Sequence, residues 1–432
     1  MIQEFSVENY RSIKTKQTMN FLANNKLHTG SDDYLSTQVN DSVRLLKLCI
    51  LYGYNASGKS NLLQALDFLR NLALSGPDTK DEETGFVPFL LDEETQKQKG
   101  TFSLVFYIDS IRYEYSISLD DKIIHYESLR YSPEGRIATL FSRSYDQKLK
   151  TSKLSIGAKS MLSSKEKTIL HGNTIENTTV LFAYQKSNIH SPSLDAVVRY
   201  FKADLLPLIT PKVLLRNWSI NRLTNNAKRK QFYVSFLEKA DFQISDLEIR
   251  NNTISVDEDM LNNLLEQGAP KGLIEQLSKE KQFESNELHF LHKTSKGVHP
   301  IVAEEESQGT LRYFGLGGVL HELISSSHSV AIDELESSLH PDLVTFFLQM
   351  FLLNAPNSQI LASTHAPYIM EQDYMRNDMI WFCEKDENGA SEYYSAQAFS
   401  LHKNIKVSNF YRAGKLGAKP ILGNPFIGKD EQ

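Results

Sequence analysis

Residues 53–60 have the pattern G-x-x-x-x-G-K-S, which is typical of a loop that binds phosphate. Its glycines let the backbone wrap so that successive N–H groups face an anion, and its lysine can reach the β- and γ-phosphates. A short apolar run precedes the loop and a helical pattern follows it, which is the context that the motif requires. We predict that the nucleotide-binding residues are Gly53, Asn55, Ala56, Ser57, Gly58, Lys59, Ser60 and Asn61.

A second set of reactive side chains follows the apolar run at 328–332. Asp333 and Glu334 are adjacent carboxylates at the end of a predicted strand. With the Ser60 hydroxyl, Asp333 is predicted to hold Mg²⁺, whereas Glu334 can polarise the attacking water as a general base. The alternative is that the two carboxylates only form an acidic surface. Their occurrence in the same chain as a phosphate loop favours the catalytic interpretation. Glu336 fits a structural role better.

Two shorter motifs complete the set. Ser307 and Gly309 stand at a predicted helix start, where a hydroxyl, backbone N–H groups and the helix dipole can bind an anion. His365 ends the strand that follows the acidic pair, in the string STHAP, where it can contact a γ-phosphate. A helix cap and a packed surface histidine are the ordinary alternatives. The order of the motifs favours the functional interpretation of both.

In this order the motifs resemble those of the ABC-type ATPases of the SMC, RecF and OLD group. The strings GYNASGKSNLL, IDELESSLHP and STHAP are similar to those of stand-alone bacterial OLD-like ATPases, as is the opening FSVENYRSI. Residues 409–420 are similar to the tail of RloA-like ATPases. Related ATPases occur in two-gene anti-phage modules, including Septu-type and PARIS-type systems, beside a separate effector that is often a nuclease. The resemblance covers residues 1–135 and 300–420.

The resemblance implies that two heads enclose two molecules of ATP, each with Mg²⁺. Ser307 and Gly309 of one chain would bind the γ-phosphate held by Lys59 of another, and residues 337–340 would lie at the seam. The chain departs from the family at Glu306, where a leucine is usual, so different packing is expected at that helix start. The glutamine of the family's Q-loop has no clear counterpart, and Gln96 and Gln98 are the candidates.

Hydrophobic periodicity places these motifs on an α/β framework. The predicted strands and helices are listed here: strands in 2–22, a buried strand at 45–52, a helix from 60 to about 76, four antiparallel strands in 100–142, a strand in 246–256, a helix at 311–324, a strand at 328–332, a helix at 341–354, a strand at 359–363, and a hairpin in 381–396. Residues 143–175 are polar and lysine-rich, which predicts a linker.

Strand and helix alternate at both ends of the chain with the middle inserted between them. The sequence therefore predicts a split ABC-type P-loop ATPase head, built from a mixed sheet and an antiparallel β subdomain, with a mostly helical insertion. We place the N-terminal lobe at 1–142, the linker and insertion at 143–300, and the C-terminal lobe at 301–432.

Composition limits the partners. The net charge is −6, whereas nucleic-acid binders usually carry a basic surplus, so DNA binding is possible but not indicated. Six lysines and one glutamate in 148–167 predict a solvated loop. Cys49 and Cys383 cannot form a disulfide framework, and neither a secretory signal nor a membrane span is visible, which predicts a cytoplasmic protein without a membrane partner.

These observations predict an ATPase that assembles with itself as a head-to-head dimer or larger oligomer. It would act as a nucleotide-gated regulator of a separate effector, a nuclease or toxin, in anti-phage defence, with slow hydrolysis of ATP. The alternative is an ATPase similar to RecF and SMC that binds DNA in repair or recombination. A built-in Toprim nuclease is disfavoured because the segment after His365 is short and has no D-x-D cluster, and a transporter is disfavoured by the long insertion.

Overall fold

The computed structural model describes residues 1–25, 32–223, 226–240, 242–256, 261, 278–279, 282–399, 406–420 and 423. The chain divides into two compact units. Unit 1 comprises Met1–Pro211, Leu323–Ser337 and Phe347–Gln432, and unit 2 comprises Lys212–Glu322 and Ser338–Phe346. This division differs from the three predicted segments because residues 143–211 fold with the N-terminal part of the chain.

A five-stranded sheet lies at the centre of unit 1, with the order β14-β15-β5-β16-β17. Its strands are β5 (Leu48–Tyr52), β14 (Ser329–Ile332), β15 (Gln359–Thr364), β16 (Ile380–Lys385) and β17 (Ser391–Ser395). The first four in the sheet are parallel, and β17 pairs antiparallel with β16. All residues of β5, β14 and β15 are buried, as expected for parallel strands covered on both faces. The predicted strands at 328–332 and 359–363 and the predicted hairpin are confirmed.

The predicted strand at 45–52 is wrong in one respect, because the run forms two strands. β4 (Val43–Leu46) pairs antiparallel with β3 (Ser36–Asn40), and β5 begins at Leu48. Lys47 separates them and is buried, and its ammonium group donates to the carbonyl of Leu352. Burial lowers the pKa of Lys47 to about 8. A lysine in an apolar run therefore marks a break between two sheets.

The second sheet of unit 1 has seven antiparallel strands in the order β10-β9-β8-β7-β6-β1-β2. They are β1 (Ile2–Glu8), β2 (Gln17–Asn20), β6 (Gly100–Ile108), β7 (Ile111–Leu119), β8 (Ile124–Ser132), β9 (Ala138–Asp146) and β10 (Thr151–Ile156). The antiparallel strands predicted in 100–142 are confirmed.

The prediction of a linker at 143–175 is wrong. β9 runs to Asp146, β10 pairs with it, and α2 (Ser164–Asn173) follows. Along β10 the exposure alternates, with Lys153 outward and Leu154 less exposed, and lysine is typical of a protected sheet edge. Ser163 and Glu166 form a reciprocal capping box at the start of α2. The lysines are therefore distributed over the β9–β10 turn, an edge strand and a helix, and do not mark a linker.

Helix α1 (Lys59–Leu74) contacts both sheets of unit 1, through β1 and β15. Its apolar face is buried, and Phe68 stacks on Tyr10 at 5.3 Å between ring centroids. The helix ends before Gly76, as predicted. The other helices of the described chain outside unit 2 are α3 (Val180–Gln185), α4 (Pro192–Arg199), α8 (Pro341–Asn354), which the unit boundary crosses, and α9 (Val407–Arg412).

Unit 2 contains α5 (Leu215–Leu223), α6 (Ala227–Glu238), most of α7 (Gln308–Ser325) and a three-stranded antiparallel sheet. Its strands are β11 (Ile244–Ser255), β12 (Gln282–Thr294) and β13 (Gly297–Val302). The strand predicted in 246–256 and the helices predicted at 311–324 and 341–354 are confirmed. β12 and β13 were not predicted, and β13 is largely exposed and lacks the buried alternation that indicates a strand.

Close helix packing explains three glycines in the middle of α7. A methyl group added at Gly315 would collide with Leu215 of α5, and one at Gly317 would lie 2.7 Å from Phe236 of α6. At Gly318 it would lie 2.5 Å from the Ser219 hydroxyl. Because glycine lowers helix propensity, its presence here indicates that α5 and α6 pack directly against the α7 backbone.

We expect Gly318→Ala to destabilise unit 2 by about 1–3 kcal/mol because the added methyl group overpacks the contact with α5. The matched control is Gly172→Ala in α2, where an added methyl group meets nothing within 4 Å and should stabilise by up to about 1 kcal/mol. Urea denaturation of both variants tests this. Equal stability of the two variants would show that α7 does not need the close approach.

Candidate nucleotide-binding site

The phosphate loop joins the buried end of β5 to α1. Gly58 precedes the helix with a φ of 114°, in the left-handed region that favours glycine. A side chain there would also collide with Ser391 and lie 2.8 Å from the Ser12 hydroxyl. At Gly53 a methyl group would lie 2.5 Å from the carbonyl oxygen of Cys383. Both glycines of the motif are therefore required by close contacts with neighbouring chain segments.

Lys59 is 5% exposed and reaches back across the loop. Its ammonium group donates to the carbonyl oxygens of Gly53 at 2.9 Å and Tyr54 at 3.1 Å. Burial lowers the pKa of Lys59, although nearby acidic residues act in the opposite direction. The lysine is held in place by the loop that would surround a phosphate.

Three side chains of the β16–β17 hairpin bind the carbonyl oxygens of the loop. The Cys383 thiol and the Ser391 hydroxyl donate to the Ser57 carbonyl, at 3.2 and 2.6 Å, and the Tyr393 hydroxyl donates to Gly58 at 2.7 Å. Because the loop carbonyls are bound on the side of the β16–β17 hairpin, the loop N–H groups are favoured to point to the opposite side. These three residues were not predicted from the sequence. The pattern that could have indicated them is the alternation of polar side chains along a buried strand.

A cavity of about 410 Å³ lies over the loop. Its lining residues are Asn55, Ala56, Gly58, Lys59, Ser60, Asn61, Glu334, His365 and Lys385. The structure therefore brings most of the predicted loop residues together with Glu334 and His365. Gly53 and Ser57 are not among the lining residues, and Ser57 is fully buried. Lys385 was not predicted from the sequence.

The two carboxylates after β14 have different surroundings. Asp333 is 7% exposed and accepts a hydrogen bond from the Ser363 hydroxyl. That hydroxyl also accepts from the backbone N–H of Glu334 at 2.9 Å. Glu334 has a φ of 48° and is exposed, and its side chain lines the cavity. The acid pair thus consists of one fixed, buried carboxylate and one that faces solvent.

Glu336 fixes the backbone beside His365. Its carboxylate accepts from the Thr364 hydroxyl at 2.7 Å and from the His365 backbone N–H at 2.6 Å. These bonds agree with the structural role expected for Glu336. Partial burial and the charge of Lys59 lower the pKa of His365, which favours the neutral imidazole. A neutral imidazole can donate one hydrogen bond to a phosphate oxygen.

Ser307 and Gly309 belong to unit 2, whereas the cavity residues belong to unit 1. The Ser307 hydroxyl accepts from the Thr310 backbone N–H at 3.0 Å, as a cap at the start of α7. Glu306 accepts from the His292 ring on β12. The residue that replaces the usual leucine therefore ties the start of α7 to the three-stranded sheet.

The Q-loop candidates do not reach the cavity. The side chain of Gln96 donates to the Leu90 carbonyl at 2.7 Å, and the carbonyl of Gln98 accepts from Asn9 at 2.8 Å. Neither residue lines the cavity. Both belong to the loop before β6 and support the chain near the first strand.

The phosphate loop follows a buried parallel strand, and an acid pair and a histidine follow two further strands of the same sheet, which is the arrangement of an ABC-type P-loop ATPase fold. The family described as "AAA domain, putative AbiEii toxin, Type IV TA system" matches residues 48–166 and 174–371. These ranges cover more than half of the sequence, and the chain belongs to this family.

Solved structures with a similar fold include SMC head domains. The SMC head domain from Thermotoga maritima is 13% identical, with 91% of this chain and 98% of that chain covered and a TM-score of 0.39. The SmcHead bound to the C-winged helix domain of ScpA is 13% identical, with 94% and 99% covered and a TM-score of 0.42. No curated protein matches the sequence. Each helix within the described ranges is too short or too polar to cross a membrane.

Proposed function

We propose that this chain binds ATP with Mg²⁺ in the 410 Å³ cavity of unit 1 and hydrolyses it. The observation that carries the proposal is the convergence of Lys59, Ser60, Glu334 and His365 on one cavity from three separate segments of the chain. The cation can bind phosphate, the hydroxyl can bind Mg²⁺, the carboxylate can activate water, and the imidazole can donate a hydrogen bond to a phosphate oxygen.

Each residue has a chemical role in this proposal. The loop N–H groups and Lys59 bind phosphate oxygens. Ser60 and the buried Asp333 supply the hard oxygen ligands that Mg²⁺ prefers, and the bound ion would neutralise phosphate charge. Glu334 accepts the proton of the attacking water, and His365 donates a hydrogen bond to the phosphate.

We further propose that two copies close over the nucleotides, with Ser307 and Gly309 of one copy completing the site of the other. Ser307 caps α7 through the Thr310 N–H, which places its hydroxyl beside the other N-terminal N–H groups of the helix, where an anion can bind. Closure would gate a separate effector in anti-phage defence. The family description, which names a toxin of a toxin–antitoxin system, supports a module with a second component.

Light scattering of Glu334→Gln with Mg-ATP and with Mg-ADP tests this association. We expect a larger mass with Mg-ATP only, because the variant keeps the binding groups and loses the base. The increase should disappear when Ser307→Arg is added, since a long cation would fill the anion site. An unchanged mass in both nucleotides would contradict ATP-driven association. If the mass does increase with Mg-ATP, proteins that co-purify with the trapped form are candidates for the effector.

DNA binding is the second candidate function, and one observation favours it. Lys148, Lys150 and Lys153 are exposed around the β9–β10 turn, and Lys159 and Lys165 are exposed nearby in sequence. Such a surface can neutralise phosphates and would bind DNA with a strong dependence on salt. We expect 30-base-pair DNA to bind weakly and to dissociate as salt rises, and a Lys148→Glu, Lys150→Glu, Lys153→Glu variant to lose this binding. Equal binding by the variant would exclude this surface.

A further inference from the structure

Lys385 is a second lysine of the cavity and belongs to none of the motifs that predicted the site. It is the last residue of β16 and lines the cavity with Asn55, Ala56 and Asn61 of the phosphate loop. β16 lies directly beside β5, with Phe382 opposite Tyr52. The end of β16 therefore lies next to the beginning of the phosphate loop, and the two segments form adjacent walls of one cavity.

The backbone around Lys385 is fixed on both faces of β16. Toward the loop, the Lys385 N–H donates to the Tyr54 hydroxyl at 3.1 Å, and the Cys383 thiol donates to Ser57. On the other face, the carboxylate of Glu384 accepts from the Ala418 N–H at 3.0 Å. These bonds fix the backbone at Lys385 without using its ammonium group, which stays available for a ligand.

The segment that holds Glu384 is the tail that the sequence analysis singled out. Tyr411 of α9 stacks on Phe382 at 5.6 Å between ring centroids, and the Tyr394 hydroxyl donates to the Leu416 carbonyl at 2.8 Å. A side chain at Gly417 would collide with the carboxylate of Glu384. The tail therefore packs on the face of β16 opposite the phosphate loop and fixes the strand that carries Lys385.

The ammonium group of Lys385 forms no ion pair with the carboxylates of the described residues. Within the part of the chain that the structure describes, no carboxylate oxygen lies within 4.0 Å of its ammonium group, and its side chain is only partly exposed. Lys59 and Lys385 thus face the cavity together with Glu334 alone as an acidic lining residue. A ligand with several negative charges can accept hydrogen bonds from both ammonium groups. The cavity is electrostatically suited to an anion with several negative charges.

We propose that Lys385 binds a phosphate group of the nucleotide, as a second phosphate-binding lysine beside Lys59. The proposal rests on the proposed binding of ATP in this cavity and deepens it. The two lysines belong to different segments: Lys59 is the first residue of α1, and Lys385 is the last residue of β16. Phosphate oxygens between them would complete the hydrogen bonds of both ammonium groups.

The test measures the affinities of Lys385→Met for Mg-ATP and for inorganic tripolyphosphate by isothermal titration calorimetry. Loss of one charge-assisted hydrogen bond is expected to weaken both ligands by about 10- to 100-fold. Lys385→Arg keeps the charge and should stay within about threefold of the wild type. Lys122→Met, an exposed lysine on the turn before β8, is the matched control and should have no effect.

Each other outcome has a defined meaning. Unchanged affinities in Lys385→Met would overturn the proposal, and weaker ATP binding with unchanged tripolyphosphate binding would assign Lys385 to the base or sugar instead. A thermal melt of Lys385→Met identifies a folding defect, in which case the comparison of Lys385→Arg with the wild type decides. If the wild type binds no ATP, or Lys59→Ala binds it equally well, the proposed function fails, which is distinguishable from failure at Lys385 alone.

Discussion

Replacing Glu334 by glutamine is expected to lower the rate of ATP hydrolysis by at least about 100-fold and to leave the affinity for ATP within about threefold. The side chain is exposed in the cavity, and glutamine has the same shape but cannot accept the proton of the attacking water. The backbone bond from Glu334 to Ser363 at 2.9 Å is unaffected by the change. Phosphate release and calorimetric titration of ATP measure the two quantities separately.

Two neighbouring carboxylates serve as controls for this assignment. Asp333→Asn should weaken the Mg²⁺ dependence of binding, because Asp333 is the buried carboxylate proposed to hold the ion. Glu336→Gln should chiefly disturb the loop at His365, because the carboxylate of Glu336 accepts the Thr364 hydroxyl and the His365 N–H. If Glu336→Gln abolished hydrolysis and Glu334→Gln did not, the general base would be Glu336.

The residues of the proposed site that could be predicted from the sequence are those that belong to short motifs directly after predicted strands. The phosphate loop has a fixed spacing, and Glu334 and His365 each follow an apolar strand, so parallel pairing places them at one edge of the sheet. Their convergence on one cavity needed no long-range contact beyond that pairing.

The residues that could not be predicted depend on contacts between distant segments. Ser391 and Tyr393 support a loop more than 300 residues earlier in the chain, and their types are common in any strand. Lys385 lies in a run that predicts a hairpin and nothing else. The lysine-rich composition of 143–175 predicts a linker, whereas the structure has β10 there, paired with the predicted strand β9. Local patterns therefore identify the reacting groups but not the residues that hold them.

A buried ionic cluster between the antiparallel sheet and the start of α3 has the largest expected effect on stability. Arg143 of β9 and Glu127 of β8 are fully buried, with 3.8 Å between the guanidinium and the carboxylate. The guanidinium donates to the carbonyls of Ile175 and Glu176, both at 2.8 Å. The carboxylate accepts from the Val180 N–H at 2.8 Å. The arginine and the glutamate thus both bind segment 175–180, which leads into α3.

That segment also holds the end of α1. The Thr178 hydroxyl donates to the Pro77 carbonyl at 2.7 Å, and the Thr179 hydroxyl donates to the Leu72 carbonyl at 2.8 Å. Arg143 is therefore connected, through segment 175–180, to the helix that begins at Lys59. A change at Arg143 acts on the end of α1 farthest from the cavity.

We expect Arg143→Met to lower the free energy of unfolding by about 3–5 kcal/mol, because it leaves buried carbonyls without donors and Glu127 without its counter-charge. The matched control is Arg130→Met, which removes a 43% exposed partner of Glu114 and should cost less than about 1 kcal/mol. Urea denaturation at pH 7.5 measures both. A cost at Arg143 no larger than that at Arg130 would mean that the buried pair contributes no more than a surface pair.

The pH dependence separates the lost counter-charge from the lost packing. Burial raises the pKa of Glu127, and the charge of Arg143 opposes this, so Arg143→Met should raise that pKa further. A raised carboxyl pKa favours the folded state at low pH and loses that contribution as the pH rises through the folded pKa. The loss of unfolding free energy caused by Arg143→Met should therefore become smaller as the pH falls toward 5. Adding Glu127→Gln to Arg143→Met should remove most of this pH dependence. A deficit that is constant with pH would attribute the whole cost to unsatisfied carbonyls and packing, because protonation of Glu127 would then make no difference.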